Sequence, residues 1–62
     1  MNHVELEELR LKLGISQREL SLRLFITRDA VAKLEAGKNR MSKPVEELAR
    51  QLAESTFNGN LQ

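Results

Sequence analysis

The sequence predicts a small all-α domain of four short helices around one core. Three observations carry that expectation. Apolar residues recur at helical spacing in four segments, N-capping residues and glycines punctuate those segments, and no stretch alternates apolar with polar residues as a half-buried strand would. With 62 residues, 40% of them apolar and 3% aromatic, there is interior for one core only.

Leu6, Leu9 and Leu13 fall at i, i+3 and i+7, and Gly14 follows as a left-handed stop, so the first helix is expected over about His3 to Leu13. Ser16 offers an oxygen to the free amides of a second helix, and Glu19 three residues later is placed to complete a capping box. Leu20 and Leu24 give that helix its stripe, over about Gln17 to Leu24. Thr27 is the next N-cap, Asp29 lies in the first turn where the helix dipole favours an anion, Val31 and Leu34 face inward, and Gly37 stops the third helix. Lys38 to Lys43 reads as loop by composition, and Pro44 suits the first turn of a fourth helix. There Val45, Leu48, Ala49, Leu52 and Ala53 form the cleanest apolar stripe of the chain. After Ser55 the residues are too rich in Gly and Asn to extend a helix, which divides the chain into a domain over 1–55 and a short tail over 56–62.

Composition excludes several classes of function. One His, His3, and no Cys leave no nucleophile-and-base pair and no ligand set for zinc, so neither catalysis nor a metal or other cofactor is expected, and His3 reads as a solvated terminal residue. The longest apolar run, Leu24 to Ile26, is far short of the ~20 residues of a membrane span, and no signal-peptide core follows Met1. A soluble, cytoplasmic protein is expected, in keeping with the absence of cysteine. Net charge is only +1, but it is unevenly spread. Glu5, Glu7 and Glu8 make the start acidic, whereas Arg28, Lys33, Lys38, Arg40 and Lys43 outnumber Asp29 and Glu35 in the middle, as on a polyanion-facing edge.

Two short helices separated by so few residues cannot lie antiparallel and must cross steeply, as in a helix-turn-helix. The stretch Ser16 to Gly37, SQRELSLRLFITRDAVAKLEAG, resembles without a gap the helix-turn-helix of Cro/C1-type (XRE-like) repressors of phages, plasmids and restriction-modification controllers. The likeness lies in Ser16-Gln17, Glu19-Leu20, Val31, Leu34 and the Glu35-Ala36-Gly37 ending, and Glu47-Leu48-Ala49 continue it. It implies a lambda-repressor-like domain whose third helix enters the major groove of double-stranded DNA. Thr27, Arg28, Asp29 and Lys33 would then face base edges, Arg28 through its forked guanidinium and Asp29 either by steadying that fork or by accepting from a cytosine. Lys33 can reach a base or a phosphate. The resemblance places phosphate contacts at Ser16 and Gln17 and at Lys38, Asn39, Arg40 and Lys43, and it pairs Arg10 of the first helix with Glu35 as architecture. The family usually has Ala where this chain has Ser21 and a positive-φ Gly where it has Phe25.

What the resemblance implies is an autoregulating repressor that binds an inverted-repeat operator as a homodimer, with Phe57 and Leu61 of the tail as dimer contacts and with no small-molecule ligand or membrane partner. An antitoxin-type regulator, and an activator touching RNA polymerase through acidic groups such as Glu19, are the alternatives.

Overall fold

The computed structural model describes the backbone of residues 1–59 and the side chains of residues 1–55. Four helices follow one another: α1 (His3–Leu13), α2 (Gln17–Leu24), α3 (Arg28–Glu35) and α4 (Lys43–Gly59). No strand occurs among the described residues.

Each of the first three helices starts on a side-chain cap. Asn2 Oδ1 accepts from the Glu5 amide at 2.8 Å, and Glu5 Oε1 accepts from the Asn2 amide at 2.9 Å, a full capping box at α1. Ser16 Oγ accepts from the Glu19 amide at 3.1 Å, and Thr27 Oγ1 from the Ala30 amide at 3.1 Å. The capping box expected at α2 is half made. Glu19 turns forward to Arg23, 3.4 Å away one turn on, because an exposed carboxylate at this position gains a charge partner there and only a neutral amide behind it.

The three helices also end alike, on or just before a residue of positive φ: Gly14 (69°) and Phe25 (58°) cap α1 and α2, and Gly37 (77°) follows the cap residue Ala36 of α3. Amides past the helix end fold back onto its last turn, Ile15 N to Arg10 O at 3.3 Å, Ile26 N to Ser21 O at 3.1 Å and Lys38 N to Lys33 O at 2.9 Å. Two glycines take this conformation freely. Phe25 does not, and left-handed backbone costs an L-residue about 1 to 2 kcal/mol. Burial of the ring does not offset that cost, since Phe25 is 82% exposed.

Leu6, Leu9, Leu20, Leu24, Val31, Leu34 and Ala49 make the core, one set of contacts reaching all four helices. α3 packs on α2 and α1, and α4 closes the other side of both. Truncating one of the fully buried leucines, Leu6, Leu20 or Leu24, to alanine should cost about 2 to 5 kcal/mol. Ser21 is buried where α2 lies in the core, and its Oγ donates to Arg18 O at 2.6 Å, so the hydroxyl is satisfied one residue nearer than the usual i−4 carbonyl.

Two boundaries differ from expectation. Lys43 is the first residue of α4, not loop, because Ser42 takes the cap position and its carbonyl accepts from the Glu46 amide at 2.9 Å. Pro44 then falls among the first-turn residues whose amides have no helical acceptor. At the other end the helical backbone continues past Ser55 to Gly59. Once a helix is nucleated and packed, Ser, Thr, Phe and Asn each cost only a few tenths of a kcal/mol, and Gly is the first residue costing about 1. Phe57 therefore lies on α4, whereas Leu61 lies outside the described residues.

Candidate nucleic-acid interface

The first turn of α3 is presented at the surface. Arg28, Asp29 and Lys33 are exposed, Ala32 is half-buried, and no described residue pairs with the Arg28 guanidinium. Gln17, Arg28, Asp29 and Ala32 line one shallow, open depression, so the start of α2 and the start of α3 share a surface although eleven positions separate Gln17 from Arg28. Thr27 Oγ1 accepts from the Ala30 amide as the helix cap, which leaves its O–H and its methyl for a partner.

Asp29 meets Lys33 at 3.2 Å, one turn along α3, and does not brace Arg28. Side chains at i and i+4 share a helix face, whereas i and i+1 diverge, so geometry decides the choice. Both partners are exposed, and a pair of this kind is worth about 0.3 to 0.5 kcal/mol, little enough for a partner molecule to break. Lys33 can therefore leave Asp29 at small cost, while Arg28 has no ion pair among the described residues to give up.

Behind this surface lies a polar clamp. Arg10 Nε donates to Glu35 Oε2 at 2.7 Å, Arg10 Nη1 to Ile15 O at 3.1 Å, and Gln17 Nε2 to Glu35 Oε1 at 3.0 Å. Both carboxylate oxygens of Glu35, a nearly buried residue, are thus satisfied by donors from two other helices. The clamp ties α1, the start of α2 and the end of α3 into one unit. Gln17 is its unexpected member. One amide hydrogen points inward to Glu35, so what Gln17 can offer outward is its second hydrogen and its backbone N–H.

The segment after α3 carries Lys38, Asn39 and Arg40, all exposed, and is followed by Lys43 at the head of α4. Met41, half-buried, packs on the core and anchors it. The turn that starts it has a second support, because the His3 imidazole lies against Gly37, where an added Cβ would stand 3.3 Å from three ring atoms. Position 37 favours glycine for its φ, and an added Cβ would in addition require the exposed His3 ring to shift by a few tenths of an ångström. His3 is exposed, as expected, but it is also a wall of the hollow formed with Gly37, Asn39, Arg40 and Met41.

Among the described residues no three His, Cys, Asp or Glu side chains are grouped to hold a metal ion, and no helix is long and apolar enough to cross a membrane. Sequence reasoning missed Gln17 as a partner of Glu35, His3 as a support of the Gly37 turn, and an ion pair at 2.8 Å between the Met1 amine and Glu46. None of these has a local signal, since each joins residues far apart in the chain.

A family model described as helix-turn-helix matches residues 6–55, from the first core leucine of α1 to well inside α4. No curated protein and no solved structure matches the chain. The match takes in α2 and α3, the turn between them, the clamp and the exposed start of α3, and the chain belongs to the Cro/C1-type helix-turn-helix family of DNA-binding transcriptional regulators.

Proposed function

We propose that this protein is a repressor that binds an inverted-repeat operator as a homodimer, lays α3 in the major groove and controls its own promoter. The observation that carries the reading is Arg28 at the head of α3, without an ion-pair partner among the described residues, with Gln17 and Ala32 beside it in one depression and the exposed cations Lys38, Arg40 and Lys43 further along the chain. In this reading Arg28 reads a guanine, Thr27 and Lys33 complete the base contacts, and Asp29 accepts from a cytosine or stays with Lys33. Ser16, Gln17, Lys38, Asn39, Arg40 and Lys43 hold phosphates. Such contacts set register and orientation, and base contacts set sequence.

Dimerisation supplies what one unit lacks. A single unit reads about four or five base pairs, too little to define a site among genomic competitors. Phe57, four positions past Ala53 on α4, and Leu61 beyond it are the proposed dimer contacts. Two copies about a two-fold axis would place their α3 helices roughly 34 Å apart, one turn of DNA. A gel shift on the promoter upstream of the gene tests this. A protected inverted repeat with half-site centres about 10 to 11 base pairs apart is expected, and binding without preference for that DNA over unrelated duplex would overturn the reading.

A further inference from the structure

Among the described residues four large apolar side chains are exposed outside the proposed DNA contacts, and they fall into two pairs of opposite charge setting. On α1, Val4 (50% exposed) and Leu11 (61%) stand seven residues apart on the face away from the core, flanked by the exposed carboxylates of Glu7 and Glu8. Lys12 lies on the flank towards Ala53 of α4. On α2, Leu22 is 61% exposed, with Arg18 one turn before it on the same face, and Phe25 (82% exposed) caps the C-terminal end of that helix just past Leu24. Glu19 is engaged with Arg23 on the neighbouring side of α2, and no described residue pairs with the Arg18 guanidinium.

The exposure of all four shows that the two faces do not cover each other within one molecule. Phe25 adds a second kind of observation. Its left-handed backbone would be relaxed by glycine, and its ring gains little burial here, so the isolated chain derives little stability from a phenylalanine at this position. A strained, exposed aromatic residue is a feature of contact surfaces.

We propose that the acidic apolar face of α1 in one copy docks on the basic apolar face of α2 in another, with Leu22 and Phe25 seated between Val4 and Leu11 and Arg18 meeting Glu7 or Glu8. The occupant is a second copy because one chain carries both halves of the match, apolar against apolar and carboxylate against guanidinium. The contact is separate from the one proposed at Phe57 and does not depend on DNA binding. Its small area makes it weak in free solution, and it gains strength when two copies are held side by side on one duplex.

A dilution series followed by amide NMR, with sedimentation at the same concentrations, tests the contact in the absence of DNA. Concentration-dependent shifts are expected together at residues 4, 7, 8 and 11 and at 18, 22 and 25. Phe25→Gly should weaken the association at least tenfold while its melting temperature stays equal or rises, so loss of contact and loss of fold are told apart. Glu7→Lys with Glu8→Lys should weaken it as well, and adding Arg18→Glu to the same chain should restore it. Shifts confined to one of the two faces, shifts confined to residues beyond Ser55, or a Phe25→Gly variant that loses only DNA affinity would each overturn the proposal.

Discussion

Arg10 Nε lies 2.7 Å from Glu35 Oε2, and the same carboxylate takes a second hydrogen bond, at 3.0 Å, from Gln17. The Glu35 side chain is only 3% exposed and that of Arg10 15%, so water cannot replace either partner. Removing one alone strands a charge. Arg10→Ala or Glu35→Ala should destabilise the fold by about 3 to 5 kcal/mol, whereas Arg10→Met combined with Glu35→Leu should recover most of that loss. Denaturant unfolding of the singles and the double checks it. A double variant as unstable as the sum of the singles would show that the pair acts through more than charge.

Arg28→Ala should cost about 1 to 3 kcal/mol of operator affinity and flatten the preference at one base pair of each half-site, because a bidentate donor is lost while phosphate contacts remain. Binding measured on a panel of single-substituted operators reads this out. A uniform loss across the panel would reassign Arg28 to the backbone.

Lys38→Ala and Arg40→Ala should weaken specific and non-specific DNA alike and lower the slope of log K against log salt by roughly one per lost phosphate contact and copy. Affinities at several salt concentrations measure it. An unchanged slope with reduced sequence preference would move these residues to base readout.

Phe57→Ala should raise the dimer dissociation constant and reduce affinity for a full palindrome more steeply than for one half-site. Sedimentation with and without palindromic DNA compares the two forms. Wild type and variant that behave identically would place the interface elsewhere.

A pH dependence follows from the Met1 amine, 2.8 Å from Glu46 Oε2, in a chain that carries the free amine. The hydrogen bond to Glu46 and then its charge raise the amine above its ordinary 8.0, and the same bond and charge lower Glu46 below its ordinary 4.5. A raised cation stabilises fully below its unfolded value and loses that contribution as pH climbs through its folded value. A lowered carboxylate does so above its unfolded value and loses it as pH falls through its folded value. The pair therefore contributes fully between 4.5 and 8.0 and fades on either side. The stability difference between wild type and Glu46→Gln, followed across pH, should be largest inside that window. A difference that does not vary with pH would mean that the pair does not hold in solution.

Helix positions, most caps and the core stripes of this protein are legible in the chain because they rest on rules that reach three or four residues: Leu6 with Leu9, Ser16 with Glu19, Gly37 after Glu35. The exposed head of α3 is legible for the same reason, since a capped start and an inward Val31 and Leu34 leave Asp29 and Lys33 on the other side and Arg28 on the flank of the first turn. Tertiary structure decided matters in which a side chain had several partners within reach. Gln17 had solvent or Glu35, Asp29 had Arg28 or Lys33, Glu19 had an amide behind or Arg23 ahead, and His3 had water or the bare backbone of Gly37. Phe25 is the plainest case. Its place after α2 marks it as a turn residue, but only the tertiary structure gives it a φ of 58° and leaves the ring outside, because the packing of α2 on α3 that buries Leu20, Leu24 and Val31 is worth more than relaxing one residue of backbone.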